Sequence, residues 1–218
     1  MAQIVPTITT SDPNTFVTNL TKLGSFAKRI QVDASDGSFA PTNLVPLAAM
    51  QSIQFPQGVA IDIHLMSARP SEHLPAILAL KPSLCILHAE VDDNLAAIFA
   101  QLKQAGIKTG IAFIKTTFPA RVRELVAGAD HAMIFAGTLG SQGGTIDLLQ
   151  TEKVPLLRTI KPDLEIGWDG GANLSNVRAL AHSDIDVINV GSAISQASDP
   201  AAMYQSLIAE ADKKGVLI

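Results

Sequence analysis

The sequence predicts an α/β fold of the (β/α)8 TIM-barrel type, a single domain over residues 1–218. Three observations carry that prediction: eight short apolar runs, a switch to helical spacing between them, and glycine-rich turns after the last three. The runs are read as strands at 3–8, 28–32, 59–64, 83–88, 108–114, 131–135, 165–168 and 186–190. Val59-Ala-Ile-Asp-Ile63 and Ala132-Met-Ile-Phe135 are apolar at nearly every position, as strands covered on both faces of a parallel sheet must be. Between them, 94–106 sets Leu95, Ile98, Phe99 and Leu102 on one helical face and closes at Gly106, a residue suited to a left-handed cap. Ser11-Asp12-Pro13 and Asp199-Pro200 each put a polar cap before a proline in the first helical turn. Eight strand–helix units in this length average about 27 residues each, a lean barrel. An open doubly wound sheet is the runner-up, and the absence of G-x-G-x-x-G after the first strand counts against it.

Composition bounds the function. With 47% hydrophobic and 17% charged residues the chain can bury a substantial core, which excludes disorder. A net charge of -4 without a basic cluster excludes nucleic acid and anionic membrane surfaces as partners, because both are bound through concentrated Lys and Arg. Cys85 is the only cysteine, so no internal disulfide forms. Met1 to Thr10 lack a signal peptide's charged start and apolar run, and no apolar stretch reaches the roughly 20 residues of a spanning helix. The expected location is cytoplasmic.

In such a barrel the chemistry lies where strands end, over one mouth. That rule selects Thr7, Gln31, Asp33, His64, His88, Glu90, Lys115 and Asp169. Asp33 and Asp169, from strands two and seven, are expected on opposite sides of the ring, where one carboxylate meets each face of a substrate carbon and a proton can be moved across it. Asp36 is read evenly as a turn residue or a functional one. Gly140-Ser-Gln-Gly-Gly144, Asp169-Gly-Gly171 and Gly191-Ser-Ala193 follow strands six to eight, and their backbone amides are suited to wrapping a phosphate.

These residues resemble the ribulose-phosphate 3-epimerases along the whole chain. Pro6-Thr7-Ile8 is similar to the family's opening Pro-Ser-Ile. Gln31-Val-Asp-Ala-Ser-Asp-Gly-Ser-Phe-Ala-Pro-Thr42 is similar to His-x-Asp-x-Met-Asp-Gly-x-Phe-Val-Pro-Asn. Asp62-Ile-His-Leu-Met66, His88-Ala-Glu90, Met133 through Gln142, Asp169-Gly-Gly171 and Val190-Gly-Ser-Ala-Ile194 resemble the later motifs in order. The resemblance implies a barrel enzyme that inverts C3 of a ketose phosphate, with a divalent metal (zinc, iron, manganese or magnesium) on two histidines and two aspartates. Asp33, His64 and Asp169 match three of these ligands and Gln31 stands in place of the family histidine. Asp33 and Asp169 are the implied acid and base. The substrate is implied to meet Thr7, His64, Met66, Met133, Gly140, Ser141, Gln142, Gly170, Gly171, Gly191 and Ser192. A homo-oligomer, dimer or hexamer, is favoured on the same ground. Ser35, Ile114-Lys115 and Gly137 to Ser141 depart from the family around the mouth.

Two other readings stay open. Lys115, just past strand five, could serve a Schiff-base aldolase if burial lowered its pKa. A barrel without its metal histidine could be a sugar-phosphate binder with no catalysis. His73, His131 and His182 are read as structural or surface groups, and Trp168 as a packing residue at the barrel rim.

Overall fold

A computed structural model describes residues 1–141 and 143–214. Eight parallel strands close in chain order into a barrel: β1 Gln3–Ile8, β2 Arg29–Ser35, β3 Ala60–Met66, β4 Leu84–His88, β5 Lys108–Phe113, β6 His131–Phe135, β7 Glu165–Asp169 and β8 Val187–Val190, with β8 pairing back onto β1. β2 continues to Ser35 rather than ending at Val32, and β3 to Met66 rather than at His64. The two pair without interruption from Arg29↔Ala60 to Ser35↔Met66. Polar residues in these segments do not end the strands, because successive side chains alternate and the polar ones point into the barrel. Gln31 and Asp33, two apart, face inward, while Ile30, Val32 and Ala34 join the core under the helices.

The helices form where their caps say they should. Asp12 accepts from the Thr15 N–H at 2.8 Å and opens Pro13–Gly24, which buries Phe16, Leu20 and Leu23 against the strands. Asn94 accepts from the Ala97 N–H at 3.1 Å and opens Leu95–Gln104, with Leu95, Ile98, Phe99 and Leu102 buried. Asp199 does the same for Pro200–Ala211. Among the described residues no helix is long and apolar enough to cross a membrane.

The barrel interior divides into three levels. At the N-terminal ends of the strands, Arg29 donates to Asp62 at 2.6 Å and through both terminal nitrogens to Glu165 at 2.9 Å, and His131 lies 2.8 Å from Glu165. Above that network sits an apolar layer of Leu84, Ile86, Ala112, Met133 and Phe135. The third level, at the C-terminal ends, is polar and forms the site described next. Trp168 points the other way: it is buried in the strand–helix layer, its indole N–H donating to the Gly170 carbonyl at 2.9 Å.

Candidate active site

β2, β3 and β7 bring Asp33, His64 and Asp169 together, with one ligand atom of each within 4.8 Å of the others. Strands two and seven are not diametrically opposite as the sequence reading expected. In the closed ring they are separated only by β8 and β1, and their carboxylates converge on one point. Gln31, fully buried, joins them: its Nε2 donates to Asp33 Oδ1 at 2.9 Å and to Asp169 Oδ2 at 2.6 Å, and its Oε1 is left without a partner. His64 Nδ1 lies 3.1 Å from Asp33 Oδ1 and 3.8 Å from Asp169 Oδ2. The other carboxylate oxygen of Asp33 accepts from Thr9 Oγ1 at 2.6 Å.

Electrostatics follow from burial and crowding. Burial, followed by the charge of Asp33, pushes the Asp169 carboxyl up to about 7. Burial opposes charge on His64, but the hydrogen bond and charge of Asp33 and the charge of Asp169 outweigh it and raise the imidazole. Behind it, His88 Nε2 lies 2.9 Å from His64 Nε2, and burial drives this second ring down to about 4. Glu90 lies 3.3 Å from His88 Nδ1. Burial would raise it, but the bonds to His88 and Thr117 hold it below the usual carboxylate range.

Of the residues expected to meet a substrate, Thr7, Met66, Gly140, Ser141, Gly170, Gly171, Gly191 and Ser192 line one cavity together with Asp33 and Asp169. Met133 does not line it. Its side chain is fully buried in the apolar layer beneath, where Leu84, Ile86 and Ala112 surround it. Gln142 lies outside the described residues. The glycine loop after β7 depends on its residue type. Gly170 has φ +124°, and a Cβ there would sit 2.1 Å from the Gly137 nitrogen, so the chain can pass so close to the β6 loop only as glycine. Asn173 and Asn176 both donate to the Gly171 carbonyl, at 3.1 and 3.0 Å, and fix the loop from behind.

The cavity also contains residues that sequence reasoning missed: Thr9, Phe135, Gly137, Gly143, Ala172 and Asn189. Thr9 was legible in principle, being two residues beyond Thr7 and so on the same face. Asn189 is the only polar residue in β8, and its buried Oδ1 has no partner. Asp36 proves to be a turn anchor, accepting from Ser38 and Ser67 and lying 2.8 Å from His73, away from the cluster. Lys115 is exposed, so the burial that a Schiff-base lysine requires is not met. The buried lysine is Lys153, which donates to the carbonyls of Ile114 and Lys115.

Comparison with known proteins finds relatives among the ribulose-phosphate 3-epimerases. Ribulose-phosphate 3-epimerase of Mycobacterium leprae is 26% identical over 185 residues, covering 82% of this chain and 81% of that protein. The cytoplasmic isoform of Oryza sativa is 26% identical over 215 residues, covering 94% and 92%. Among solved structures, tryptophan synthase of Mycobacterium tuberculosis superposes with a TM-score of 0.73 at 17% identity, covering 98% of this chain and 93% of that one. 3-Hexulose-6-phosphate synthase of Salmonella typhimurium does so at 0.71 and 17%, covering 96% and 98%. At such identity these two show the shared barrel alone. The model of the Ribulose-phosphate 3 epimerase family matches residues 3–195, and the chain belongs to that family.

Proposed function

We propose that this chain is an isomerase that inverts the carbon next to the ketone of a ketose phosphate by proton transfer between Asp33 and Asp169. The observation that carries the reading is the convergence of the two carboxylates on a glycine-lined cavity, with His64 buried beside them and outside its lining. One aspartate takes the proton alpha to the ketone and leaves an enediolate. The other gives a proton to the opposite face of the same carbon, so the substrate is inverted and the pair regains its total of protons. Asp169, held at about 7 first by burial and then by the Asp33 charge, is suited to both halves of that exchange at neutral pH. Thr7, which lines the cavity, is the side-chain donor at hand for the enediolate oxygens, a contribution usually worth about a hundredfold or more in rate, whereas both N–H groups of the buried Gln31 amide are taken by the carboxylates.

The donor set also fits a divalent cation. Asp33, His64 and Asp169 offer two carboxylate oxygens and an imidazole nitrogen within reach of one centre, a mixed set that zinc, iron, manganese or magnesium can use. Such an ion supplies Lewis-acid stabilisation of the enediolate when bound. Gln31 presents N–H groups to both carboxylates, and its unpartnered Oε1 is its one atom able to serve a cation. The glycine loops at Gly140–Ser141, Gly170–Gly171 and Gly191–Ser192 are assigned to the phosphate, whose charge backbone amides can meet without a lysine.

Solvent deuterium incorporation at C3, followed by proton NMR over a panel of ketose phosphates, tests the reading. Exchange is expected with at least one of them and is expected to fall sharply in Asp169→Asn. No exchange with any ketose phosphate, with each of the four metals and without, overturns it.

A further inference from the structure

We infer that Asn189 reads a substrate hydroxyl on the carbon between the inverted centre and the phosphate, which restricts the ketose phosphates taken by this site to those of five carbons or more. This rests on the reading of Asp33 and Asp169 as the proton-transfer pair and of the glycine loops as the phosphate cradle, and it adds a specificity-determining residue to them.

The strand itself aims the side chain. In Val187-Ile-Asn-Val190 the flanking Ile188 and Val190 join the core under the helices, so Asn189 between them points into the barrel. There it lines the cavity that Asp33, Asp169 and the glycine loops share, with only 3% of its surface exposed. Among the described residues nothing hydrogen-bonds its Oδ1, and that oxygen is sealed from solvent. Gln31 Oε1, Asp62 Oδ1 and His131 Nε2 are orphaned too, but their residues do not line the cavity. A buried amide without a partner costs the fold stability unless something in the cavity meets it. An aliphatic side chain, the usual occupant of a parallel strand, would avoid that cost.

Position says which part of a substrate meets it. Asn189 pairs in register with Asp169 on β7, one strand spacing of about 4.8 Å away. Along its own strand it precedes by two and three residues Gly191 and Ser192, in the loop assigned to the phosphate. A molecule with its reacting carbon on Asp169 and its phosphate on that loop lays the intervening carbon alongside Asn189. In a ketose phosphate that carbon carries a hydroxyl, which both gives and takes a hydrogen bond and so pairs with either end of the amide. A pentulose 5-phosphate has this hydroxyl on C4. In a tetrulose 4-phosphate the inverted C3 is bonded directly to the phosphorylated carbon, and the hydroxyl is missing.

Calorimetric titration of the full chain tests this with ribitol 5-phosphate and its 4-deoxy analogue, which lack the ketone and so do not turn over. Inorganic phosphate is the third titrant. The parent is expected to bind the 4-deoxy compound about tenfold to a hundredfold more weakly than ribitol 5-phosphate. Asn189→Leu and Asn189→Ala should lose a similar factor for ribitol 5-phosphate, bind the two polyols within about twofold of each other, and hold inorganic phosphate as the parent does. Leucine approximates the shape of the amide and alanine leaves room, so one of the pair serves if melting curves show that the other does not fold. Equal binding of the two polyols by the parent, binding of neither, or discrimination kept in the variants overturns the inference. A parallel loss of inorganic phosphate in the variants also overturns it, since Asn189 would then only support the loop. Deuterium exchange at C3 of ribulose 5-phosphate is read separately: a parent that discriminates the polyols but exchanges nothing fails the proton-transfer reading and keeps the hydroxyl contact.

Discussion

Gln31 Nε2 lies 2.6 Å from Asp169 Oδ2, so an amide links β2 to β7 across the centre of the candidate site. The same nitrogen reaches Asp33 at 2.9 Å, and both inner carboxylate oxygens are therefore satisfied by one side chain. The cost falls on the far side of the amide, where a buried carbonyl oxygen has no partner. Such a group costs about 1–3 kcal/mol. Gln31 is thus well paired with the carboxylates and poorly paired with the rest of the barrel.

A histidine at this position would exchange two donors for an imidazole ligand. Gln31→His is expected to raise zinc affinity about tenfold to a hundredfold, measured by chelator competition. An unchanged affinity would show that position 31 does not face the bound ion.

The Asp33–Asp169 pair makes a pH prediction. Asp169 is raised, by burial and then by Asp33, from 3.8 to about 7 in the fold. Its stabilising contribution is therefore fully present below pH 3.8 and is lost as pH rises through about 7, since over that window the folded state binds more protons than the unfolded one. Asp33→Asn removes the neighbouring charge and should bring the Asp169 titration, followed by carboxyl 13C shifts, down by more than one unit. Asp169→Asn should flatten the decline of melting temperature between pH 5 and 8. A titration of Asp169 unchanged in Asp33→Asn would mean that the two carboxylates do not sense each other.

Much of this arrangement was legible in the chain, for identifiable reasons. Buried parallel strands are apolar on both faces, so Ala132-Met-Ile-Phe135 announced itself, and caps such as Asp12 and Asn94 act within four residues. What could not be read was anything set by closure. The distance between Asp33 and Asp169 depends on β8 pairing with β1, and the meeting of His64 with His88 depends on the register of β3 and β4. The turn role of Asp36 became visible only when His73, from the helix Pro70–Leu80 after β3, arrived beside it.

The opposite end of the barrel should govern stability and leave chemistry alone. Arg29 is largely buried between Asp62 and Glu165, and removing one partner of such a network costs about 3–5 kcal/mol. Arg29→Met should lower urea stability by that amount while leaving turnover unchanged at temperatures where the variant is folded. Burial opposes ionisation of Glu165, but bonds from His131 and Arg29 outweigh it and hold the carboxyl well below its usual range. Its contribution is present above pH 4.5 and lost as pH falls through the lower folded value. Glu165→Gln should therefore be less stable than the parent at pH 7 and should converge with it in acid. Parallel stability curves for the two chains would discount the network.

The phosphate assignment can be separated from simple backbone strain by two glycines with nearly the same conformation. Gly171 has φ +71° and Gly106 has φ +76°, so alanine at either pays a similar conformational penalty of about 1 kcal/mol. Their surroundings differ. Nothing lies within 4 Å of a Cβ at Gly106, whereas at Gly171 it would come within 2.9 Å of the Ile146 nitrogen, in a loop that lines the cavity. Gly106→Ala should lose stability and keep the inhibition constant of inorganic phosphate. Gly171→Ala should lose more stability than that, since the Ile146 backbone must shift, and should also raise that constant and KM about tenfold or more in the folded protein, because a displaced backbone donor to a charged group is worth roughly 1.5–3 kcal/mol. Competition assays with inorganic phosphate read the difference directly. Equal inhibition of both variants would mean that the loop after β7 does not hold the anion.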